Sequence, residues 1–243
     1  MPYLKIDGFC PICQCNVQFR AQNEWLRDSF LCGGCGSIPR ERAIFSVIEM
    51  LYPQWRDLQI HETSPTIRGT SLKLKTECPG YTYSYYNEDL ALGSFHPQEG
   101  YRCESIDKMT FEDESFDLFL SQDVFEHVFN PEAAIKEIVR TLRPGGSTIM
   151  TVPLVRKSLP SERRAVLRSD GSVVHLKPPE YHGNPIDDKG VLVTIDWGYD
   201  IAAYLSSHSN HPSWIVYLDD PSRGIRAEYI EVVVVQKAVP PSI

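Results

Sequence analysis

One segment in the middle of the chain constrains the fold more than any other, because it combines a strand, a helix and a second strand. Residues 116–121 (Phe-Asp-Leu-Phe-Leu-Ser) form a compact apolar run typical of a buried strand. Asn130 and Pro131 suit the N-cap and the first position of a following helix. Apolar residues return in a strand at 147–152. Since such a unit crosses over with a right hand, it predicts an α/β fold with a parallel sheet.

Further elements extend this unit in both directions. A helix is expected over 40–51, where apolar residues recur on one face until Pro53 ends the pattern. A short strand is expected at 58–60. Near the C-terminus, 214–218 and 229–236 have the composition of strands, and a hairpin between them would add an antiparallel strand to the sheet.

Four of the seven cysteines form two C-x-x-C pairs, Cys10 with Cys13 and Cys32 with Cys35. Each pair lies beside glycine in a tight turn, and two such turns can direct four thiolates at one point. The spacing therefore predicts a zinc ribbon over residues 1–38, with these cysteines as ligands of a closed, structural Zn²⁺ site. Disulfides or unrelated buried thiols are the alternatives, although a cytosolic chain does not keep disulfides.

Charge and hydropathy narrow the classes of function. The 243 residues carry a net charge of −8, and no apolar run approaches the ~20 residues of a membrane span. Residues 1–42 hold five basic side chains against four acidic ones, which gives no electrostatic footprint for nucleic acid. Asp7 stands where a signal peptide needs its apolar core. We therefore expect a soluble, cytoplasmic protein without a membrane partner or a nucleic-acid partner.

Three motifs follow one another at regular separations, at 109–117 (Met-Thr-Phe-Glu-Asp-Glu-Ser-Phe-Asp), 124–128 (Val-Phe-Glu-His-Val) and 140–146 (Arg-Thr-Leu-Arg-Pro-Gly-Gly). Together they resemble the class I S-adenosylmethionine-dependent methyltransferases of the type 11-like kind. The resemblance implies a seven-stranded, Rossmann-like, mostly parallel and doubly wound sheet over residues 39–243. It also implies S-adenosylmethionine as cofactor at the carboxyl ends of the strands, where open α/β sheets bind ligands in general.

The chain departs from that family at the first strand. Most members carry a Gly-rich loop there, whereas residues 61–65 are His-Glu-Thr-Ser-Pro, and Gly69 follows too late to substitute. In this the chain resembles a subgroup with an N-terminal zinc ribbon and no Gly-rich first loop. The Tyr-His-Gly-Asn-Pro stretch at 181–185 is a further likeness.

The resemblance implies cofactor contacts at the ends of four strands. At the first loop, Glu62 and Ser64 are candidates for holding the cofactor's ammonium group and for a hydrogen bond, and the alternative for Glu62 is a helix-cap or salt-bridge role. At the second strand, Ser84 and Tyr85 are candidates for contact with the ribose. After the third strand, Glu104 and Ser105 are candidates for contact with the adenine amine. At the exit of the fourth strand, Gln122 and Asp123 are expected to border the sulfonium and the substrate.

The region 154–195 is too long for a plain connection and is expected to fold over the site as a substrate cap. His182 is the candidate general base, with Tyr181 as a positioning group, because imidazole titrates near neutral pH. His127 is a further candidate catalytic residue. The alternatives are a packing role for His182 and a role for His127 in locking the following helix.

A basic stretch lies inside the same region. Between residues 156 and 168, five basic side chains accompany one acidic residue, Glu162. A solvated face would explain them, but arginine is also well shaped to bind an anionic group. Arg163 and Arg164 are therefore candidate substrate-binding residues, and the expected substrate is a small anionic molecule such as a nucleotide-linked sugar.

These inferences converge on methyl transfer to a hydroxyl or amine of a small molecule by in-line displacement, with His182 as the base where the acceptor is an alcohol. Two alternatives stay open. One is an RNA methyltransferase with the zinc ribbon as reader, and the other is a non-catalytic, methyltransferase-like binding protein. The sequence does not indicate the oligomeric state.

Overall fold

The computed structural model of the chain describes residues 2–183 and 190–240, so the end of the motif at 181–185 lies outside the described residues. Within them, no helix is long and apolar enough to cross a bilayer. The strands, in chain order, are β1 (Leu4–Cys10), β2 (Cys15–Ala21), β3 (Leu31–Cys32), β4 (Ile60–Thr63), β5 (Tyr81–Tyr85), β6 (Arg102–Cys103), β7 (Phe116–Gln122), β8 (Leu142–Thr151), β9 (Glu162–Arg163), β10 (Ala165–Leu167), β11 (Val173–His175), β12 (Tyr181–His182), β13 (Val191–Leu192), β14 (Ile195–Asp196), β15 (Ser213–Val216) and β16 (Val232–Gln236). The α-helices are α1 (Leu26–Ser29), α2 (Pro39–Leu51), α3 (Gly69–Glu77), α4 (Pro131–Thr141) and α5 (Ile201–Ser209). Short 3₁₀ helices occupy Trp55–Asp57, Phe125–His127 and Pro221–Arg223.

Seven strands form one central sheet in the order β15-β16-β8-β7-β4-β5-β6. Neighbouring strands from β8 to β6 pair in parallel, and β16 runs antiparallel to both β8 and β15. The expected seven-stranded, mostly parallel, Rossmann-like sheet is therefore confirmed, including the antiparallel C-terminal hairpin. β4 begins two residues later than the expected 58–60, because the 3₁₀ helix at Trp55–Asp57 shortly precedes it.

The unit β7–α4–β8 confirms the strand–helix–strand prediction. The Asn130 side chain accepts a hydrogen bond from the Ala133 amide at 3.1 Å, and Pro131 occupies the first turn of α4. β8 begins earlier than expected, at Leu142 directly after the helix. The reason is that Leu142 pairs with Phe116, and an irregularity in β7 then shifts the register of the two strands.

Helices cover both faces of the sheet, and the alternation of side chains along each strand separates two apolar layers. Along β16, Val232 and Val234 pack with α2 and the N-terminal strands. Val233 and Val235 point the other way and pack with α4 and α5. The helix expected at 40–51 is confirmed as α2, and the arrangement is doubly wound.

The N-terminal module (β1, β2, α1 and β3) carries its own antiparallel sheet and packs on the first of these layers. Arg42 of α2 connects the N-terminal module to the rest of the chain. This fully buried guanidinium donates to the carbonyls of Phe30 and Gly224, each at 2.7 Å, and lies 4.8 Å from the ring centre of Phe19. Because side chains on both sides of residue 38 share one core, the boundary of a ribbon at 1–38 stays a prediction.

The expected cap at 154–195 forms short ladders. β9 pairs with β14, β10 with β11, and β12 with β13, over two or three residue pairs each. Thr194 ties the region to the segment after β7, since its hydroxyl lies 3.0 Å from the Glu126 carbonyl and 2.9 Å from the Val128 carbonyl. Its role as a substrate cap stays a prediction.

Candidate active site

The carboxyl ends of β4, β5 and β7 lie side by side, and the strand order reverses between β4 and β7. Ser64 and Asp123, the residues that follow β4 and β7, both have positive φ angles, 51° and 53°. Neither is glycine, so both positions carry backbone strain of the kind that clusters at functional sites. Open α/β sheets bind ligands at this switch point. We call the edge between Ser64 and Asp123 the strand-exit crevice.

Glu62 and Gln122, both expected to contact a cofactor, are bonded to each other. The fully buried Glu62 carboxylate accepts hydrogen bonds from Gln122 Nε2 at 2.8 Å, Ser71 Oγ at 2.8 Å and Tyr81 Oη at 2.7 Å. Burial raises the pKa of Glu62, and these hydrogen bonds oppose the rise. Among residues 2–183 and 190–240, Glu62 has neither a helix-cap hydrogen bond nor a salt bridge, and sequence reasoning missed Ser71 and Tyr81 because their link to Glu62 exists only after folding.

Ser84 and Tyr85, expected near the ribose, bond to the first loop and to the core. Ser84 Oγ lies 3.0 Å from His61 Nε2, and burial together with a nearby arginine lowers the pKa of His61 to about 3. The Tyr85 hydroxyl donates to the Pro65 carbonyl at 2.7 Å, and the Ser64 amide donates to the Ser84 carbonyl at 2.7 Å. These bonds fix the course of the loop that replaces the Gly-rich loop of the family.

Glu104 and Ser105, expected near the adenine amine, also have partners within the chain. The buried Glu104 carboxylate accepts from Arg102 Nε at 2.6 Å and from the Thr110 amide at 2.9 Å. Ser105 Oγ donates to Asp107 Oδ1 at 2.5 Å. Asp107 is a further acid at this strand end that the sequence reasoning missed, although its position two residues after Ser105 was a usable signal.

The Asp123 carboxylate forms ion pairs with two arginines from the N-terminal part of the chain. Its Oδ2 atom is 2.7 Å from Arg27 Nη2 and 3.0 Å from Arg40 Nε, and Thr151 Oγ1 donates to its Oδ1 atom at 3.1 Å. Burial alone would raise the pKa of Asp123, but the two guanidinium groups outweigh it and lower the pKa. The N-terminal module therefore reaches the strand-exit crevice, which the net charge of that module gave no means of predicting.

Two of the expected catalytic residues, His127 and His182, meet beside the crevice. Their ring centres are 5.2 Å apart, and both rings face the buried carboxylate of Glu126. Glu126 raises the pKa of His182, whose side chain is 38% exposed. Tyr181, the expected positioning group, is 57% exposed. The structure thus brings the two histidines together, and the roles of all three residues stay predictions.

The two expected substrate-binding arginines have partners within the chain. Arg163 Nη1 donates to the Phe129 carbonyl at 2.8 Å. Arg164 forms ion pairs with Asp196 at 2.9 Å and Glu180 at 3.1 Å. An anionic substrate at Arg164 would have to compete with two carboxylates, so its role in substrate binding stays a prediction.

The four cysteines expected to bind zinc lie together. The Sγ atoms of Cys10 and Cys35, and those of Cys13 and Cys32, are 3.8 Å apart, and all four lie within 4.8 Å of one another. The amides of Gly34 and Cys35 donate to Cys32 Sγ at 3.4 and 3.5 Å. Hydrogen bonding with the Cys10 thiol lowers the pKa of Cys35 to about 4. Four converging sulfur donors can hold a tetrahedral Zn²⁺.

Comparison with known proteins finds one matching segment. A family model described as a methyltransferase domain matches residues 74–150. The match covers less than half of the chain, and over that segment the chain is similar to the class I methyltransferases. A ubiquinone biosynthesis O-methyltransferase from Parvibaculum lavamentivorans (strain DS-1 / DSM 13023 / NCIMB 13966) is 31% identical over 70 residues, so the match spans 29% of this chain and only 27% of that protein.

A solved structure shares the fold of this chain. An S-adenosylmethionine-dependent methyltransferase from Mesorhizobium loti superposes with a TM-score of 0.51 at 14% identity, over 80% of this chain and 97% of that one. A more distant match, a 1,6-didemethyltoxoflavin-N1-methyltransferase from Burkholderia thailandensis, gives a TM-score of 0.47 at 14% identity, over 82% of this chain and 79% of that one.

The matched segment of the chain runs from α3 to β8 and therefore includes the ends of β5, β6 and β7. It leaves out β4, with Glu62 and the unusual first loop, as well as His182 and the four cysteines. Membership of a zinc-ribbon subgroup stays a prediction for that reason.

Proposed function

We propose that this methyltransferase transfers a methyl group from S-adenosylmethionine to a hydroxyl or amine of a small molecule. The observation that carries the proposal is the methyltransferase-domain match, because it covers strand ends that border the crevice. S-adenosylmethionine, when bound, supplies an electrophilic methyl group on a sulfonium. The chain's own part is to bind, orient and exclude water, since alignment of the reacting atoms accounts for much of the rate.

The polar groups at the strand-exit crevice suit a cationic cofactor. The hydrogen bonds to the buried Glu62 carboxylate come from three neutral donors, and its raised pKa reflects a charge that is poorly compensated. A nearby ammonium or sulfonium group would stabilise that charge. Because Glu62 holds the amide nitrogen of Gln122, the carbonyl oxygen of Gln122 is directed elsewhere and can accept from the ammonium group. Gln122 is then the cofactor contact, and Glu62 is its positioning residue.

The other cofactor contacts follow from the order of the strand ends. Ser64 and Tyr85 lie on the loops after β4 and at the end of β5, where the methionine part and the ribose would bind. The adenine amine would lie near Glu104 or Ser105, after β6. Asp123 would border the sulfonium from the end of β7 while it holds the N-terminal module.

On the acceptor side, we propose a small, anionic substrate beneath the region 154–195. His182, raised in pKa by Glu126, would accept the proton of an acceptor hydroxyl, with His127 beside it and Tyr181 as a positioning group. Arg163 and Arg164 would contact the anionic part of the substrate in competition with their present partners. A nucleic-acid substrate is not part of the proposal, because the N-terminal residues carry nearly balanced charge.

We further propose that the four clustered cysteines hold one structural Zn²⁺ and that the protein works in the cytoplasm. The seven cysteines are free, and a reducing compartment keeps such thiols available to a metal. With four sulfur ligands the site has no open position, so this zinc would stabilise the N-terminal module without taking part in methyl transfer.

Isothermal titration calorimetry with S-adenosylmethionine and S-adenosylhomocysteine tests the proposal. We expect both to bind the wild-type chain, and Gln122→Ala to weaken binding about tenfold through loss of one hydrogen bond to a charged group. Gln54→Ala, an exposed glutamine that precedes the 3₁₀ helix at Trp55–Asp57 and so lies before the amino end of β4, is the matched control and should bind as wild type does.

Absence of binding to the wild-type chain would overturn the proposal. It would support the non-catalytic alternative, which one observation favours: seven of the eight side chains expected to contact the cofactor, all but Ser64, already have hydrogen-bond partners within the chain.

A further inference from the structure

Glu126 has a buried carboxylate that accepts no hydrogen bond within the part of the chain that the structure describes. The residue is 1% exposed, and within residues 2–183 and 190–240 neither of its carboxylate oxygens has a hydrogen-bond partner. Leaving a carboxylate in this state is costly, because burial removes its hydration and no donor replaces it. Such a group is stabilised by a cation, which can be a protonated histidine such as His182 or a metal ion.

His127 directs an electron pair, rather than a proton, at this carboxylate. Its Nδ1 atom lies 2.9 Å from the Leu192 carbonyl oxygen, which can only accept, so Nδ1 carries the hydrogen. In the neutral ring, Nε2 is then a bare acceptor, and it lies 3.7 Å from Glu126 Oε1. In that neutral form two acceptors face each other across this gap, an arrangement that repels unless Nε2 gains a proton or a positive ion lies between them.

His182 completes the cluster from the opposite side. Its Nδ1 atom lies 3.7 Å from the same Glu126 oxygen, and its Nε2 atom lies 3.6 Å from Glu180 Oε1. The rings of His127 and His182 are nearly perpendicular, at 89°, so their nitrogen atoms approach Glu126 from different directions.

The distances suit a bound metal ion better than hydrogen bonds. The three donor atoms lie within 4.8 Å of one another, and 3.7 Å is too long for a hydrogen bond. Metal–ligand bonds of roughly 2.1 Å place two donors roughly 3 to 3.6 Å apart. Two imidazoles and one carboxylate favour a transition metal over Mg²⁺ or Ca²⁺. The Leu192 carbonyl orients His127 in the way that outer partners orient metal-binding histidines.

We infer that Glu126, His127 and His182 form a divalent transition-metal site of the two-histidine, one-carboxylate type beside the strand-exit crevice. Three protein ligands leave coordination positions open, so the hydroxyl group of an acceptor can bind the ion. Binding to the ion would lower the pKa of that hydroxyl, which would then lose its proton to solvent near neutral pH and become a better nucleophile than the free alcohol. The inference rests on the proposed function for this role, and it makes His182 a ligand in place of a free base. It also narrows the acceptor class to hydroxyl groups.

Mn²⁺ titration followed by electron paramagnetic resonance tests the site, because bound Mn²⁺ loses the sharp signal of the free ion. The full chain is used with its cysteine site loaded with zinc, since Mn²⁺ prefers oxygen and nitrogen ligands to thiolates. We expect one Mn²⁺ per chain, and dissociation constants at least tenfold higher for His182→Ala and for Glu126→Gln.

His208→Ala is the matched control. His208 also lies 3.6 Å from a glutamate, Glu132, but it belongs to α5 and not to this cluster. Its removal should leave Mn²⁺ binding unchanged. His182 is on a partly exposed strand, so its variant keeps the test valid if Glu126→Gln does not fold.

Absence of Mn²⁺ binding to the wild-type chain, or equal binding by His182→Ala, would overturn the metal site. Both titrations are made without S-adenosylmethionine, whose binding is measured separately by calorimetry. Cofactor binding without Mn²⁺ binding therefore refutes only the metal site, whereas Mn²⁺ binding without cofactor binding refutes only the proposed methyl transfer.

Discussion

Arg27 Nη2 lies 2.7 Å from Asp123 Oδ2, although 96 positions separate the two residues in the sequence. The pair joins the N-terminal module to the residue that follows the central strand β7. Asp123 has a positive φ angle, so the Arg27–Asp123 ion pair holds a residue whose backbone conformation is strained. The N-terminal module thereby helps to hold the shape of the strand-exit crevice.

Breaking this ion pair should lower the stability of the whole chain. Arg27→Ala leaves the buried Asp123 carboxylate with Arg40 as its remaining charged partner, so we expect a loss of about 2 kcal/mol in the free energy of unfolding. Urea unfolding measures it. Arg20→Ala, on an exposed position of β2, is the control and should change the value by less than about 0.5 kcal/mol. Equal stability of the two variants would show that the Arg27–Asp123 pair contributes nothing.

Removing one sulfur ligand should release zinc from the cysteine site. We expect one tightly held zinc per chain in the wild type and none at this site in Cys32→Ser, with a loss of stability, because a structural zinc site contributes directly to folding. Metal analysis after dialysis and thermal unfolding measure both effects. Cys15→Ser removes an exposed thiol beside the site and should retain its zinc. Retention of zinc by Cys32→Ser would refute the assignment.

The buried Glu62 should make stability depend on pH. Burial raises the pKa of Glu62 in the folded chain above its ordinary value of 4.5. Between 4.5 and the raised value, the folded chain binds more protons than the unfolded chain, so the free energy of unfolding falls as the pH rises. Glu62→Gln lacks this fall, and its stability relative to wild type should increase from about pH 4.5 towards neutrality.

Urea unfolding of both proteins at several pH values measures this difference. Glu112→Gln, an exposed substitution of the same chemistry, serves as the control and should follow the wild-type pH profile. A constant difference between Glu62→Gln and wild type across the pH range would contradict the buried, poorly compensated charge.

Local sequence predicted what depends on local structure. The β7–α4–β8 unit followed from apolar periodicity and from the Asn130 and Pro131 helix start, and both were confirmed. The beginnings of β4 and β8 were misplaced. A 3₁₀ helix shortly precedes β4, and β8 begins at Leu142 because that residue pairs with Phe116. The four cysteines were found together because their spacing records the turn geometry directly.

The candidate site was harder to predict, because its contacts join distant segments. Glu62 was singled out at the first loop, but its burial against Tyr81 and Gln122 depends on two other strands. Arg27 counted only as a charge in the sequence, and its contact with Asp123 appears only in the folded chain. The pairing of His127 with His182 depends in the same way on the short ladders of the region 154–195.

The shared core of the N-terminal module and the main sheet has a practical consequence for work on this protein. Phe19 and Cys10 belong to the same buried cluster as Leu118 and Val232. A truncated chain that begins after residue 38 would expose a hydrophobic surface over the middle of the sheet and would tend to aggregate. Deleting the module to ask what it does for methyl transfer would therefore report on solubility, and single substitutions are the cleaner tool.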